Sequence, residues 1–283
     1  MRTLLEASVL PILCVSMLMT HGCEQNITEA ERRDEEAIQD LIAGLSDWFA
    51  VDGHLGKESE EPQGKEPIRP IFWWREVERP IPRIITIDVV GDSAFVTVER
   101  DIEGWFNIVV DVDPDSILHK VLADSSKRYA VFKRDTVPEY HRGWRVVSLS
   151  GVEIVSDFNT VRIDSVRLKL PASGWDTLIV NPLQVFAREE VLTLPPDAEV
   201  EVTAYTNESS ACVFLHTFRP WRPHRWRFRH QGDGVFYGRW VTPHRLGIHH
   251  AAVDIIHHDT IYDDAYSYDS HAWLLPYRVT RGQ

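Results

Sequence analysis

The chain has 283 residues, of which 43% are hydrophobic, 26% charged and 10% aromatic, and its formal net charge is -13 at pH 7. This composition is that of a folded protein rather than a disordered one, and the length suffices for two ordinary domains. The acidic balance argues against a nucleic-acid partner, because phosphate neutralisation needs a basic surface.

The first residues predict an export signal. Arg2 precedes an apolar run, 7–19, which has the length of a signal-peptide core and is too short to span a bilayer as a mature helix. Gly22 and Cys23 at its end resemble a bacterial lipobox, which implies a signal peptide over residues 1–23 and a lipid anchor on Cys23. Ordinary secretion is the alternative. We expect a bacterial cell-envelope protein that is anchored to the membrane and faces the periplasm or the cell surface.

The clearest predicted helix begins at a capping box. Thr28 and Glu31 are spaced so that each side chain can reach the other residue's backbone amide. Apolar residues then recur at helical spacing over 37–49. Beyond a polar stretch the period becomes alternating on both sides of a turn at 91–93, which predicts a hairpin. Three further predicted strands, over 104–110, 128–134 and 143–149, complete an α+β layout.

The opening helix, the segment FWWREVERPIPRIITIDVVGDSAFVTVERDIEG and the closing GWRVVSLSGVEI resemble the nuclear transport factor 2-like (NTF2-like) superfamily, a cone-shaped α+β fold. The resemblance covers about residues 28–156 and implies a cone domain over 24–156 in which a helix packs on a curved antiparallel sheet around a pocket. Some members are small isomerases or hydratases and many are binding modules. An enzyme of isomerase or hydratase type is therefore one alternative function. Relatives that dimerise through the sheet imply a homodimer.

Four residues are candidates for ligand binding in the implied pocket. Trp73, Trp74 and Trp105 could line an apolar site, although aromatic residues at such spacing more often fill a core. Asp101 is of the right type for a general base, although it also fits the solvated face of a strand. No catalytic residue is assigned, since none of these residues stands in a catalytic pattern.

From Val161 onward the chain is almost wholly strand and turn, with about eight short predicted strands. The segments LTLPPDAEVEVTAYT, GDGVFYGRWVTP, GIHHAAVDII and AWLLPYRV resemble bacterial immunoglobulin-like modules of envelope proteins, over roughly 180–280. The resemblance implies an all-β immunoglobulin-like sandwich over 157–283. Such modules act as spacers, adhesive surfaces or binding platforms.

Histidine and aspartate are dense in the last predicted strands and suggest a third function, a calcium- or zinc-dependent binding module. The candidate ligands are His249, His250, Asp254, Asp263, Asp264, Asp269 and His271. Neighbouring residues on a strand point to opposite faces, and no zinc or calcium spacing matches. Buried histidines that bond within the fold and aspartates that cap turns are the alternative interpretation.

A basic and aromatic run spans 224–230. Trp226 and Phe228 are predicted to face inward, with the arginines on the outer face of a strand. These arginines could bind an acidic polymer or a glycan, or pair with the abundant carboxylates. The sequence thus favours a non-enzymatic binding or scaffolding module without a cofactor, whose partner is an envelope protein or a glycan.

Overall fold

The computed structural model describes residues 28–55, 58–59, 68, 70–78, 82–110, 116–135, 141–219 and 222–281. The fold is mostly β-sheet, with 57% strand and 12% helix. The helices of this part are α1 (Glu29–Gly44), α2 (His258–Tyr262) and two 3₁₀ turns, Asp52–His54 and His141–Gly143. No helix in the described ranges is long and apolar enough to cross a membrane.

Eighteen strands lie within the described residues. In chain order they are β1 (Glu58–Ser59), β2 (Phe72–Val77), β3 (Ile84–Val90), β4 (Ser93–Val109), β5 (Ile117–Arg134), β6 (Trp144–Leu149), β7 (Val152–Ser156), β8 (Ile163–Leu170), β9 (Trp175–Ile179), β10 (Phe186–Ala187), β11 (Leu192–Leu194), β12 (Glu199–Thr206), β13 (Cys212–Arg219), β14 (Arg222–Arg227), β15 (Arg229–Gly232), β16 (Val235–Val241), β17 (Gly247–Ile256) and β18 (Ser270–Val279).

Thirteen of these strands form one curled sheet, which we call sheet A. Its path is β1-β2-β4-β5-β7-β18-β17-β13-β14, with β3, β6, β10 and β11 attached beside it. The pairing is antiparallel except between β11 and β18. The other five strands form sheet B, in the order β15-β16-β12-β8-β9. Sheet A therefore joins strands from both halves of the chain.

Local sequence signals explain two of these elements. The predicted capping box is confirmed, since the Glu31 amide donates to Thr28 Oγ1 at 3.3 Å and the Thr28 amide donates to Glu31 Oε2 at 2.7 Å. The predicted hairpin is confirmed as the antiparallel pair of β3 and β4. Gly91 at its turn has φ of 62°, a left-handed conformation that glycine adopts without strain.

Two large cores hold the sheets and the helix in place. Sheet B packs on strands β13, β17 and β18 through alternate apolar residues such as Val202, Leu215 and Val253. Helix α1 packs its apolar face, including Ile38, against one end of sheet A, including Phe132. Each core buries the residues that alternate on one strand face, as amphipathic strands require.

The predicted fold class, an α+β cone followed by a separate immunoglobulin-like sandwich, is wrong. The chain is predominantly β, with one substantial helix. That helix covers only one end of a sheet that does not close around it but continues from β7 into β18. Strand periodicity predicted the strands, but it carries no information on which strands pair across the chain.

The predicted domain boundaries lie after residues 23 and 156. The predicted signal peptide, residues 1–23, and the predicted lipid attachment site Cys23 lie outside the described residues. The division between 24–156 and 157–283 falls directly after β7, whose partner in sheet A is β18. The independent folding of the two segments stays a prediction.

Candidate functional site

A cleft of about 1130 Å³ opens where the chain passes from β14 in sheet A to β15 in sheet B. We call it the basic cleft, and it is lined by Ser209, Ser210, Ala211, Val213, Trp226, Arg227, Phe228, Arg229, His230, Phe236, Tyr237, Gly238, Arg239, His258 and Tyr262. The Phe228 amide donates to the Val213 carbonyl at 2.8 Å at the crossing between the sheets.

Arg227 is held in place by groups on two neighbouring elements. Its Nη1 donates to Tyr262 Oη at 2.9 Å, and its Nη2 lies 3.1 Å from Cys212 Sγ. The His258 ring stacks on Tyr262 at a centroid distance of 4.5 Å. Strand β14 and helix α2 thus present a guanidinium, a phenol and an imidazole at one wall of the cleft.

Arg229 and Arg239 lie on the sheet B side of the cleft. In the antiparallel register Arg229 pairs with Tyr237, and Arg239 is two residues further along β16, so the three side chains share one face. Arg239 Nη1 lies 3.3 Å from Glu199 Oε2, and both side chains are exposed, so the pair contributes under about 1 kcal/mol to stability. Both guanidinium groups are accessible from solvent.

A glycine shapes the floor of the cleft. A Cβ atom added at Gly238 would lie 2.5 Å from Phe228 Cε1, well inside van der Waals contact. The absent side chain lets the Phe228 ring lie across β16, where it is 5% exposed. His230 packs beside it on Phe236 at a centroid distance of 4.9 Å. The cleft floor is therefore aromatic beneath a basic rim.

The charge of the basic cleft is opposite to that of the chain. Its lining holds three arginines and two histidines, and the carboxylates that contact these residues, Glu199 at Arg239 and Asp259 at His258, lie outside the described lining. Because the chain as a whole has a net charge of -13, a positive cleft is a local concentration of charge. Such a site attracts carboxylate, sulfate or phosphate groups.

The run over 224–230 lies partly as predicted from the sequence. Phe228 is buried and Trp226 packs on the sandwich core. Arg225, predicted on a solvated face, is only 4% exposed, and its Cζ lies 3.5 Å from the centroid of the Trp73 ring. The prediction failed there because sheet A is covered on both faces at β14.

Two of the residues predicted to line a cone pocket lie close together and the others do not. Trp74 and Trp105 are diagonal neighbours on one face of sheet A, because Trp105 pairs with Glu76, two residues from Trp74. Trp73 is fully buried against Phe214, while Trp74 faces the other side of β2, as neighbours on a strand do. Trp105 and Asp101 are exposed on β4 and lie four positions apart, a separation of about 13 Å.

The predicted metal ligands on β17 also serve separate roles. His249 Nε2 lies 2.8 Å from the Arg245 carbonyl, whereas His250 points to the opposite face, with its Nε2 3.4 Å from Arg128 Nη2. Asp254 lies on the face of His250 but is fully buried and bonded to Arg75. The alternation predicted for this strand is confirmed by the burial of its apolar residues in different cores.

The remaining predicted ligands bond within the protein. Asp269 accepts from the Thr160 amide at 3.1 Å, and His271 Nδ1 accepts from the Ile163 amide at 2.9 Å. Asp263 Oδ1 accepts from the Ala265 amide at 2.9 Å, and Asp264 is exposed. No group of three or more His, Cys, Asp or Glu side chains in the described ranges could hold a metal ion. The described residues therefore give no support to a metal-dependent binding function.

A buried polar network, which sequence reasoning missed, lies inside the curl of sheet A. We call it the buried network, and its members are His54, Arg75, Asp124, His216, Asp254 and Tyr268, each at most 5% exposed. Arg75 donates to both Asp254 carboxylate oxygens, at 2.7 and 3.0 Å, and its Nε donates to Tyr268 Oη at 2.8 Å. Tyr268 in turn donates to Asp124 Oδ2 at 3.1 Å.

The electrostatics of the buried network follow from burial and from one ion pair. Burial alone would raise the pKa of Asp254, but the Arg75 guanidinium and the His216 hydrogen bond hold it well below its usual range. Burial lowers the pKa of His216 to about 4, despite its contact of 2.9 Å with Asp254 Oδ2. At neutral pH Asp254 is therefore a carboxylate and His216 is a neutral imidazole.

Some polar atoms of the buried network have no hydrogen-bond partner among the described residues. Neither ring nitrogen of His54 has a hydrogen-bond partner among the described residues, and Asp124 Oδ1 has none there either. The nearest approach between them, from His54 Nε2 to Asp124 Oδ2, is 3.6 Å. The network joins β2, β5, β13, β17 and the 3₁₀ turn before β1, so its first consequence is to fix these elements together.

Comparison with protein-family models, with curated proteins and with solved structures finds no match to this chain. No relative thus supports the family assignment made from the sequence, a lipoprotein that combines a nuclear transport factor 2-like cone with an immunoglobulin-like module. The assignment to this family is wrong, because the continuous sheet A contradicts the separate cone and sandwich on which it rested, whereas the lipid anchor at Cys23 concerns residues outside the described ranges.

Proposed function

We propose that this protein is a non-enzymatic binding module of the bacterial cell envelope that holds an acidic glycan in its basic cleft. The observation that carries the proposal is the charge of the cleft: three arginines and two histidines line it, and the carboxylates that contact them, such as Glu199 at Arg239 and Asp259 at His258, lie outside the lining. An arginine fork matches the geometry of a carboxylate or sulfate group and binds it through two hydrogen bonds.

Aromatic residues in the same cleft favour a ligand that contains rings. Trp226 and Tyr237 are half-buried and leave part of each ring accessible beside the arginines. A sugar ring can pack its apolar C–H face on such a surface while its acidic substituent meets a guanidinium. A nucleic acid would offer rings and charge as well, but it would meet a chain whose net charge is -13.

The size and openness of the cleft favour a segment of polymer over an enclosed small molecule. Its volume of about 1130 Å³ exceeds the range of about 300–1,000 Å³ typical of small-ligand pockets. Export to the envelope, predicted from residues 1–23, would bring such a cleft into contact with acidic polysaccharides. The export step and the lipid anchor at Cys23 stay predictions, since both concern residues outside the described ranges.

The test compares two oligosaccharides of equal length by isothermal titration calorimetry, an oligogalacturonate and a neutral maltooligosaccharide. We expect the acidic oligosaccharide to bind and the neutral one to bind at least about tenfold more weakly, a difference of about 1.4 kcal/mol. Raising the ionic strength to about 0.5 M should weaken the acidic interaction, because salt screens exposed charges.

Variants of the cleft arginines locate the site. Arg229→Gln and Arg239→Gln should each weaken oligogalacturonate binding about threefold to tenfold, and the double variant more strongly. Arg145→Gln is the matched control, since it changes the net charge equally at an exposed arginine outside the cleft. Equal binding of the two oligosaccharides, or a double variant that binds like the parent protein, would overturn the proposal.

A further inference from the structure

A second cleft, of different character, lies at the opposite edge of sheet B. We call it the apolar cleft, and its principal walls are Trp175, Ile179, Leu192, Trp240, Leu275 and Tyr277. Its volume is about 530 Å³, which falls within the range of about 300–1,000 Å³ found for small-molecule pockets. It opens between the edge strand β9 and the strands β11 and β18 of sheet A.

The apolar cleft is an extension of the sandwich core toward solvent. Trp175 and Ile179 pack on that core but stay only half-buried, because β9 is the last strand of sheet B. The same face of β9 carries Thr177, which pairs with the buried Leu168 of β8. The sheets thus leave apolar surface exposed within a concave site, where a ligand could remove it from water at about 25 cal/mol per Å².

The charge around the apolar cleft selects against anions. Glu189 and Glu190 lie at its exposed rim, and the described residues that line it include no lysine, arginine or histidine. The other polar side chains of the lining, such as Thr177 and Asn181, are neutral. A neutral ligand meets no electrostatic penalty here, whereas an anion would meet two carboxylates.

Two polar groups of the lining lie side by side. The Trp240 indole N–H and the Tyr277 hydroxyl are buried, and neither meets hydrogen-bond geometry with a partner in the described part of the chain, although the indole is close enough to the phenol to oppose the rise in the Tyr277 pKa that burial causes. Their rings lie 5.9 Å apart between centroids. Buried donors in native proteins are nearly always satisfied, and a donor left unsatisfied is destabilising. A ligand with an acceptor atom beside these two groups would offset part of that destabilisation.

We propose that the apolar cleft binds a neutral, mostly apolar ring compound. The ring would lie between Trp175 and the wall formed by Leu192 and Leu275, and an acceptor atom on the compound, where it has one, would be directed toward Trp240 and Tyr277. This site is independent of the basic cleft, since the two share no lining residue and prefer ligands of different charge.

The test uses two fluorescent probes of nearly the same shape, neutral N-phenylnaphthylamine and its sulfonated counterpart, anilinonaphthalene sulfonate. We expect the neutral probe to bind with one-to-one stoichiometry and a rise in fluorescence. The sulfonated probe should bind the apolar cleft at least about tenfold more weakly, or about 1.4 kcal/mol. Any sulfonated probe held in the basic cleft is identified by its release in Arg229→Gln.

Thr177→Trp should fill the cleft and weaken binding of the neutral probe at least tenfold. The matched control, Val180→Trp, introduces the same ring at an exposed position on the same segment that does not line the cleft, and should leave binding within twofold. If Thr177→Trp lowers the melting temperature strongly, Thr193→Trp blocks the opposite wall from an exposed position. The inference fails if the neutral probe does not bind the parent protein, or if it binds a folded cleft-filling variant unchanged.

Discussion

The guanidinium of Arg75 and the carboxylate of Asp254 form two parallel hydrogen bonds, of 2.7 and 3.0 Å, across 179 positions of sequence. Both side chains are fully buried, so the pair joins β2 to β17 inside the curl of sheet A. Removing one partner of a buried pair leaves an uncompensated charge, which costs more than the pair itself contributes.

We therefore expect Arg75→Met to lower the free energy of unfolding by about 3–5 kcal/mol in urea denaturation. The double variant Arg75→Met with Asp254→Leu should lose less than the sum of the two single variants, because neither charge is then buried alone. Arg167→Met, which breaks an exposed pair with Asp176 at 2.6 Å, should change the free energy of unfolding much less than Arg75→Met, because solvent screens exposed charges. Equal losses of unfolding free energy in Arg75→Met and Arg167→Met would contradict this account.

Acid should unfold the protein through two histidines, the fully buried His216 and the half-buried His250. Burial lowers the pKa of His216 to about 4 and that of His250 to about 3. Between about pH 6.5 and pH 4 the unfolded chain binds protons at these positions that the folded chain does not bind. Each histidine thus contributes stability that is fully present above about pH 6.5 and falls by about 1.4 kcal/mol per pH unit as the pH is lowered.

Urea denaturation at several pH values in this window measures the slope of the free energy of unfolding against pH. His250→Gln should reduce the slope by about one proton per molecule, whatever its effect on stability at pH 7. A slope that is the same in His250→Gln and the parent protein would refute the assignment.

The floor of the basic cleft should be intolerant of a methyl group. Gly238→Ala places a Cβ atom 2.5 Å from Phe228, so the ring must move, and we expect a loss of about 1–3 kcal/mol together with weaker oligogalacturonate binding. Gly44→Ala is the matched control, because no atom lies within 4 Å of its added Cβ at the end of α1. It should be neutral or slightly stabilising. Thermal melting and calorimetry on both variants decide between these outcomes.

The predicted lipid anchor has a direct test. Cys23→Ala removes the only atom to which the lipid could be attached under this hypothesis, so the full-length protein should move from the membrane fraction to the soluble fraction after cell fractionation. Cys212→Ala is the control, since that cysteine is buried in the fold. Continued membrane association of Cys23→Ala would rule out this anchor.

The sequence predicted features that depend on neighbouring residues. The reciprocal bonds of Thr28 and Glu31, the turn at Gly91 and the alternating faces of β17 all follow from local spacing, and all three are confirmed. What spacing could not indicate was the partner of each strand. The pairing of β7 with β18 joins segments more than a hundred residues apart, and it replaces the predicted cone with one continuous sheet.

The candidate sites were harder to predict for the same reason. Arg75 follows two tryptophans in a strand, where a buried arginine and a solvated one give the same pattern. Its burial depends on Asp254, Tyr268 and the His54 carbonyl, which only the tertiary fold brings to it. The basic run was recognised, but its lining partners on β16 and α2 were not, because they lie on other elements.

The position of β18 has a consequence for synthesis. This strand is the last of the eighteen to leave the ribosome, yet it lies in the middle of sheet A, hydrogen-bonded to β7 on one side and β17 on the other. Until it emerges, β7 and β17 both present unpaired edges to their surroundings, a state that invites association between nascent chains. Sheet A therefore cannot be completed before β18 has been synthesised, and a chaperone that shields strand edges during that interval should raise the yield.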